Sequence, residues 1–265
     1  NLNYTYEKKE KLLKEIIYRA FKIIVPHESI KNDLKNIYKV SNQQITVQNF
    51  IPMLPEIHKK GKMKMLDYDN IYKKFNIPVD KKVIFYPAQF WAHKNHKYIL
   101  DSVEILKNKS NKDYFFVFCG SDKGNYAYIK KLITDKNLQD FFKILSFIDD
   151  HSLISMYLNC DAIIMPTYCG PTNLPIYESF YFKKIIFYTK ALIPNDKIND
   201  RLIEIDIDLP LDLCNKLPIL TDKNKITEIV NDNYKFYDEI CSEDIFIKNY
   251  QKIFDDFSYI FNRWN

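Results

Sequence analysis

A regular alternation of strand-like and helix-like patterns between residues 66 and 190 most constrains the fold of this chain. Short apolar runs of strand length alternate with longer segments whose apolar residues recur at helical spacing. Such an alternation predicts a parallel sheet with helices on both faces, and right-handed crossovers make it a doubly wound, Rossmann-like α/β sheet. The predicted strands are 83–86, 114–119, 142–146, 162–165 and 185–188, and the predicted helices are 66–75, 96–107, 125–136, 151–159 and 175–182.

The residues before this alternation are too few for a domain of their own and indicate a partial set of elements. Residues 51–64 are charged and contain two prolines and a glycine, which predicts a connector. We therefore predict one domain over 1–56 and a second over 57–265. The remaining predicted elements are helices at 6–21 and 27–40, strands at 22–26 and 45–50, loops with one short helix and one short strand over 191–220, and closing helices at 223–240 and 245–261.

The composition excludes several classes of protein. Of the 265 residues, 46% are hydrophobic and 15% aromatic, which is ample for a core and argues against disorder. No apolar run reaches 18 residues, so no transmembrane helix is expected. The five cysteines form no Cys-x-x-Cys pair, so neither a zinc site nor a disulfide framework is expected, and a reducing cytoplasm fits best. The net charge of +5 without a clustered basic stripe argues against nucleic-acid binding.

Ligands of such sheets bind beyond the carboxyl ends of the strands, so the loops after the predicted strands are the candidate site. Three of the four glycines, Gly120, Gly124 and Gly170, fall in these loops. A glycine allows close approach of a ligand to the backbone, although ordinary turns use it as often. The loops are 87–96, 120–124, 146–149 and 165–174.

The last of these loops carries the strongest signal for an anion. An apolar strand ends at Met165, a cluster of Pro, Gly, Thr and Asn follows, and a helix can begin at Leu174 or Pro175. Free backbone N–H groups and the helix dipole at such a helix start favour a phosphate. Glu178 lies one turn further on, where it could bind ligand hydroxyls or simply be a first-turn acid favoured by the dipole.

Other polar and aromatic residues of the loops have two readings each. Lys94 could meet a phosphate as a point charge or be a solvated surface lysine. We expect His93 and His96 to be loop and cap residues rather than catalysts, and Trp91 and Phe147 to pack rather than stack on a ligand. Cys169 is expected to fill its loop rather than to act as a nucleophile. No Gly-x-Gly-x-x-Gly fingerprint, Walker loop or His-Glu-x-x-His motif occurs, which disfavours a nicotinamide-dependent oxidoreductase.

Taken together, the loops resemble the C-terminal, donor-binding domain of the family-four (group 1) retaining glycosyltransferases of GT-B fold. Residues 86–96 resemble the first donor loop of that family, 118–122 the second, and 169–178 its signature of two glutamates separated by seven residues. The similarity is good over 42–190 and looser elsewhere. It implies that 57–265 is one half of a GT-B fold and that 1–56 is a remnant of the N-terminal, acceptor-side domain with its linker.

The resemblance also implies roles for individual residues. Lys94 matches the lysine that holds the donor diphosphate, and Glu178 the glutamate that holds the ribose hydroxyls; we assign both to the catalytic site. Two departures stand out: Gln89 replaces the usual arginine partner of the lysine, and Gly170 replaces the first glutamate of the signature. The residues expected to bind the nucleotide sugar are Gln89, Gly120, Phe147, Ile148, Gly170, Thr172, Asn173, Leu174 and Glu178. Of these, Phe147 and Ile148 match a backbone segment that contacts the base in that family.

The function implied is transfer of a sugar from a nucleotide diphosphate sugar to a polysaccharide, lipopolysaccharide or lipid-linked acceptor, with retention of configuration. The implied enzyme is hexosyltransferase-like, uses no metal or cofactor besides this co-substrate, and works in the cytoplasm, where it can contact the inner face of the membrane. This chain would be mainly the donor-binding part, inactive alone. The alternative is a non-catalytic nucleotide-binding or interaction domain on the same fold. Neither the sugar, the base nor the oligomeric state is predicted.

Overall fold

A computed structural model describes residues 2–61, 71–170, 174–192 and 196–264. The chain divides into two compact units, Asn1–Ile51 with Ile240–Asn265, and Pro52–Glu239. The last helix therefore groups with the N-terminal residues, although the sequence alone placed it with the second domain. The assignment of 1–56 to an acceptor-side domain stays a prediction.

The larger unit is built on a six-stranded parallel sheet, which confirms the predicted doubly wound α/β fold. The strand order is β5-β4-β3-β6-β7-β8, so the chain starts in the middle, builds one half outwards, and returns to build the other half. The strands 114–119, 162–165 and 185–189 are buried along their whole length, as expected where helices cover both faces of the sheet. The strands are β3 Lys82–Pro87, β4 Tyr114–Cys119, β5 Phe142–Leu145, β6 Ala162–Met165, β7 Ile185–Thr189 and β8 Ile203–Ile205.

Helices alternate with these strands as the sequence patterns predict. Helix α5, for example, buries one face that includes Ile99, Leu100 and Val103, and it begins directly after the loop that follows β3. The helices of the larger unit are α3 Met53–Lys59, α4 Ile71–Phe75, α5 His96–Asn108, α6 Tyr126–Asp135, α7 Asp150–Asn159, α8 Leu174–Tyr181, α9 Asp196–Asn199, α10 Pro210–Lys216 and α11 Lys223–Ile240. The predicted start of the helix at 66 lies outside the described residues.

Two predictions about the connecting segments are wrong. Residues 51–64 contain α3 rather than only a connector, because Pro52 precedes the helix and Pro55 lies in its first turn, where the missing N–H costs no hydrogen bond. Segment 191–220 contains two short helices, α9 and α10, where one was predicted, and Pro210 is the first residue of α10. In both cases proline starts a helix rather than interrupting one.

The smaller unit contains a pair of parallel strands and three helices. Its core is a separate cluster of apolar side chains, Ile17, Val25, Leu34, Val40 and Ile45. The elements are α1 Leu2–Arg19, β1 Ile23–Val25, α2 Glu28–Tyr38, β2 Ile45–Val47 and α12 Glu243–Trp264. Within the described residues, no helix is both long enough and apolar enough to cross a membrane.

Candidate functional site

The candidate site lies where the order of the strands reverses, between β3 and β6. These strands pair in parallel, with Ile84 opposite Ala162 and Phe85 opposite Ile163. Their following loops diverge to opposite halves of the sheet, which leaves a crevice at the carboxyl ends of the strands. The fold therefore brings the first and the last of the four candidate loops together.

Hydrogen bonds join these two loops directly. The carbonyl oxygen of His93 accepts a bond of 2.8 Å from the backbone N–H of Tyr168, and the Thr167 hydroxyl lies 3.1 Å from the same oxygen. Thr167 is fully buried, and its hydroxyl also lies 2.6 Å from the carbonyl oxygen of Cys169. The loop after β6 is thus fixed against the turn that carries Lys94.

Lys94 ends a short 3₁₀ turn, Ala92–Lys94, between β3 and α5. The buried Tyr86 donates a 2.7 Å hydrogen bond to the Lys94 carbonyl oxygen, and Asn95 leaves the turn in the left-handed region at φ 53°, which asparagine tolerates. Among the described residues, no carboxylate lies within 4.0 Å of the ammonium group of Lys94. The turn thus presents a cation that is held by its backbone and has no counter-ion in the described part of the chain.

Partial burial lowers the pKa of Lys94, because a charged ammonium group loses solvation there. Cys169, in the loop after β6, acts on this pKa in the opposite direction and so lies within electrostatic range of Lys94. Cys169 itself is exposed. An anion placed between the two loops would restore the missing counter-charge.

Gly120 has a structural reason to be glycine. A Cβ atom at this position would lie 2.4 Å from the carbonyl oxygen of Ala88, so the loops after β3 and β4 can only approach because the side chain is absent. The approach lets Phe90 N–H donate 3.0 Å to the carbonyl oxygen of Ser121 and Asn125 N–H donate 3.1 Å to that of Phe90. Gly120 therefore supports the loop that leads to Lys94. Its predicted contact with the ligand stays a prediction.

His96 is a packing residue rather than a loop residue. It is fully buried as the first residue of α5, stacks on Phe90 at 4.5 Å and meets the edge of Phe118 at 5.1 Å. Burial lowers its pKa to about 3, so the imidazole stays neutral at any physiological pH. The aromatic stack fixes the start of α5 directly after Lys94.

Gln89 and Trp91, just before this turn, are both exposed. The Trp91 indole N–H donates a 2.9 Å hydrogen bond to Gln89 Oε1, and the Lys123 ammonium group lies 5.9 Å from the centre of the indole. Trp91 is 42% exposed and stacks on His93 at 6.0 Å, so it packs against residues of its own loop at the surface. Gln89, which stands where the family has arginine, thus has its oxygen occupied and its amide N–H groups available.

Phe147 lies in the loop after β5 and is 80% exposed. This exposure contradicts the expectation that Phe147 is a packing residue, and its ring is available to a ligand. Its neighbour Ile148 is half-buried, and the following Asp149 caps α7 by accepting a 2.8 Å bond from Ser152 N–H. The cap fixes the backbone strip over Phe147 and Ile148.

Glu178 lies inside helix α8, whose observed start at Leu174 agrees with the sequence pattern. Its side chain is only 9% exposed, and one oxygen, Oε2, accepts a 2.6 Å hydrogen bond from the Tyr157 hydroxyl on α7. Burial raises the pKa of Glu178 to about 7, while the bond from Tyr157 acts to lower it. The carboxyl group is thus neither a solvated first-turn acid nor a simple structural ion pair.

Tyr157 is the functional candidate that the sequence analysis missed. The residue belongs to an apolar-looking helix pattern, and its partner lies 21 positions further along the chain. A tyrosine in a core-facing helix position carries a hydroxyl that needs a partner, and this is the only signal that could have revealed it.

Two of the remaining predicted residues lie in the described ranges next to residues 171–173. Gly170 and Leu174 are half-buried on either side of the signature loop. Thr172 and Asn173 lie outside the described residues, so their predicted contacts stay predictions. Within the ranges that the structure describes, no group of three His, Cys, Asp or Glu side chains is placed to hold a metal ion.

Comparison with known families gives one match over half of the chain. A sequence profile described as glycosyl transferases group 1 matches residues 67–202, which include the sheet from β3 to β7 and all the candidate residues. No curated protein sequence gives a significant match.

Several solved structures share the fold. A glycosyltransferase from Rickettsia africae superposes with a TM-score of 0.78 at 17% identity, covering 93% of this chain and 66% of that one. Sucrose-phosphate synthase from Thermosynechococcus elongatus gives 0.75 at 13% identity, covering 96% and 62%. The Anabaena protein HepE, in complex with UDP and glucose, gives 0.71 at 13% identity, covering 92% and 65%. The chain thus spans slightly less than two thirds of each solved protein, and at these identities the likeness establishes the fold.

Proposed function

This chain belongs to the glycosyl transferases group 1 family, and on that premise we propose that its protein transfers a sugar from a nucleotide diphosphate sugar to an acceptor with retention of configuration. The observation that carries the proposal is the joining of the Lys94 turn to the loop that leads into the Glu178 helix. One side offers an uncompensated cation, the other a buried hydrogen-bond acceptor. A ligand with phosphates next to a hydroxylated sugar satisfies both.

The diphosphate would lie between Lys94 and the N-terminus of α8. A phosphate there gains the charge of the ammonium group, and the free N–H groups and dipole of the helix start add to it. Since the bond between sugar and diphosphate breaks in the reaction, negative charge grows on the leaving phosphate. Groups already aimed at that charge stabilise the transition state more than the ground state.

Glu178 would accept a hydrogen bond from the nucleoside ribose. A buried carboxylate is a strong acceptor for hydroxyl groups, and bonds with a charged partner contribute about 1.5–3 kcal/mol each. The base would then lie over the strip at Phe147 and Ile148, where an exposed ring is available for stacking. HepE, which shares the fold, is described as binding UDP and UDP-glucose.

The acceptor hydroxyl would attack from the face that the diphosphate leaves, and the leaving phosphate oxygen would take its proton. This route forms the new glycosidic bond as the old one breaks, and it assigns no covalent nucleophile to the protein. It also requires neither metal nor cofactor. Retention of configuration follows from attack on the same face.

The two departures from the family pattern weaken this site without removing it. Gln89 brings no charge, so the diphosphate is held by one cation instead of two. Gly170 brings no carboxylate to the transferred sugar, and Thr172 or Asn173 would supply those contacts. We propose a cell-surface polysaccharide, lipopolysaccharide or lipid-linked acceptor at the cytoplasmic side of the membrane. The chain would be mainly the donor-binding part.

The same departures favour one other candidate, a non-catalytic nucleotide-binding domain. Gln89 and Gly170 stand where the family pattern has an arginine and its first glutamate. Replacement of both would lower catalysis and still allow the nucleotide to bind. Turnover of a nucleotide sugar by the full protein supports the enzyme, and binding without turnover of any donor supports the domain.

Thermal and denaturant unfolding in the presence of nucleotides tests the donor site. UDP, GDP, ADP, TDP and their hexose conjugates are compared, each with and without Mg²⁺. A ligand at 100 times its dissociation constant raises the free energy of unfolding by about 2.7 kcal/mol. Stabilisation by one base, in diphosphate and sugar-conjugated forms alike, is expected. Absence of stabilisation by every compound would contradict the proposal.

A further inference from the structure

We propose that Tyr157 is a positioning residue of the donor site, which holds one oxygen of Glu178 so that the other oxygen is presented to the ribose. The inference rests on the proposed function and adds a residue from a different helix. The contact that carries it is the 2.6 Å hydrogen bond from the Tyr157 hydroxyl to Glu178 Oε2. Within the described part of the chain, Oε1 has no hydrogen-bond donor.

The packing of Tyr157 prevents its hydroxyl from turning away. The ring is fully buried, stacks on Phe182 at 5.2 Å and meets Phe85 edge-on at 5.7 Å. A ring clamped between a strand and the end of α8 has one position, so the hydroxyl is a fixed point for the carboxyl group. Glu178 can therefore rotate only by giving up its buried hydrogen bond to Tyr157.

The hydroxyl stays protonated over the whole physiological range. Burial, and then the nearby Glu178, raise the pKa of Tyr157 well above its usual value. The other groups that act on Tyr157 are the thiols of Cys160 and Cys119, and burial raises each of their pKa values to about 12. Among the described groups that act on Tyr157 or Glu178, the Glu178 carboxyl is the one whose pKa is brought near neutral pH.

The two influences on Glu178 oppose each other. Burial raises the pKa of the carboxyl to about 7, and the bond from Tyr157, which favours the charged form, keeps it from rising further. A charged carboxylate accepts hydroxyl hydrogen bonds more strongly than a protonated carboxyl does. Tyr157 thus sets both the direction of Glu178 and the pH above which it binds the ribose most strongly.

The test is the affinity for nucleotide sugars as a function of pH, in the wild type and in Tyr157→Phe. UDP-glucose, GDP-mannose, ADP-glucose and TDP-glucose are suitable probes, because both of their phosphates are substituted and keep a constant charge between pH 5.5 and 9. Tyr72→Phe is the matched control: it removes a hydroxyl that donates 2.6 Å to Asn159 O at the end of the same helix, α7.

In the wild type, affinity should rise through about pH 7 and level off above it. In Tyr157→Phe the midpoint should move up by about one pH unit, because the charged carboxylate loses a hydrogen bond. At pH 7 the variant would then bind roughly fivefold to tenfold more weakly. At pH 9 a smaller deficit of about twofold should remain, because Oε1 is no longer held toward the ribose. Tyr72→Phe should keep the wild-type midpoint.

An unchanged midpoint in Tyr157→Phe, with wild-type affinity at every pH, would overturn the inference and leave the donor site standing. A wild type that binds none of the four probes would overturn the proposed function and the inference together. One measurement does not depend on the folding of a variant: the carboxyl carbon resonance of Glu178 in the wild type should titrate near pH 7. The Tyr157 hydroxyl proton should shift with the same midpoint, and a hydroxyl resonance that does not follow the Glu178 titration would overturn the inference.

Discussion

The Lys94 turn and the Glu178 helix, the two halves of the proposed donor site, fix their ionisable groups by different means. Lys94 stands on a short turn that the fold fixes through backbone bonds, and its side chain is left without a counter-ion among the described residues. Glu178 stands inside a helix and is fixed through its own side chain by Tyr157. Burial lowers the pKa of the lysine and raises that of the glutamate. Burial therefore disfavours the charged form of both side chains. A ligand that pairs with each of them would stabilise that charged form.

The difference teaches that the two halves should fail differently. Charge acts over several ångströms and tolerates small displacements, whereas a hydrogen bond to a carboxylate requires alignment. Substitutions in the Lys94 turn should thus mainly change the stability of the protein and its affinity for phosphate groups. Substitutions at the Glu178 helix should change the affinity for the ribose of the nucleotide and the pH dependence of stability and binding.

Gly120→Ala should have the largest effect, because it removes the support of the Lys94 turn. Its Cβ would lie 2.4 Å from the Ala88 carbonyl oxygen, and backbone cannot yield as a side chain does. We expect the free energy of unfolding to fall by about 3 kcal/mol and nucleotide binding to be lost. Denaturant unfolding measures the first, and calorimetric titration the second.

Gly124→Ala, in the same loop, separates the two possible costs of an added Cβ. Apart from its chain neighbours, no described atom lies within 4 Å of that Cβ, so its loss of stability measures only the backbone strain at φ 95°. A Gly120→Ala protein as stable as the wild type would show that the loops after β3 and β4 do not need their close approach.

Glu178→Gln should weaken ligand binding and stabilise the free protein at alkaline pH. The folded-state pKa of about 7 lies above the ordinary 4.5, so the folded state binds the proton more tightly. The contribution to stability is full below about pH 4.5 and is lost as the pH rises through 7. Glutamine escapes this loss and keeps the bond from Tyr157. The variant should be more stable than the wild type by about 2–3 kcal/mol at pH 8 and little changed at pH 5.

Affinity for nucleosides and nucleotide sugars should fall about tenfold in this variant, since a charged acceptor becomes neutral. Urea unfolding at the two pH values checks the stability, and titration calorimetry the affinity. Glu104→Gln, a change at the surface of α5, serves as control. A stability difference that is equal at both pH values would show that folding does not raise the pKa of Glu178.

Lys94→Met should separate the phosphate from the rest of the ligand. Affinity for nucleoside diphosphates should fall about tenfold, while affinity for the corresponding nucleosides changes less than twofold, because only the phosphate meets the ammonium group. Lys97→Met, three positions away on the exposed face of α5, is the control. Equal losses for nucleoside and diphosphate would place Lys94 away from the phosphate.

Phe147→Ala should have the smallest effect on the protein and a modest one on the ligand. A side chain that is 80% exposed contributes little to stability, so the free energy of unfolding should change by less than about 0.5 kcal/mol. If the base stacks on the ring, affinity should fall about threefold to tenfold. Fluorescence or calorimetric titration with the preferred nucleotide measures this. Unchanged affinity would leave only the backbone of the strip in contact with the base.

The sequence predicts the sheet well because its inner strands are short apolar runs with no other reading, as in Tyr114–Cys119 and Ala162–Met165. Prolines that begin helices, such as Pro210, are mistaken for interruptions. The sequence pattern alone does not distinguish a proline in the first turn of a helix from one that ends it. Contacts between distant residues escape it altogether. The Tyr157–Glu178 bond and the approach of Gly120 to Ala88 depend on how whole elements pack, and composition or spacing does not encode that.

The sequence predicts where the residues of the candidate site lie in the fold, but it does not predict how buried or exposed their side chains are. The order of loops places Lys94 and Glu178 at one edge of the sheet, yet nothing in the chain indicates that Glu178 is buried. In the same way, the aromatic residues Trp91 and Phe147 look like core residues by type, and only the fold shows that they are exposed.

A crystal structure with the nucleotide sugar that stabilises the protein most tests the central claim directly. The account predicts the diphosphate between the two loops, with a phosphate oxygen within about 3.2 Å of the Lys94 ammonium nitrogen and a ribose hydroxyl within the same distance of Glu178 Oε1. A nucleotide bound elsewhere on the molecule, or one in this crevice that contacts neither residue, would contradict it.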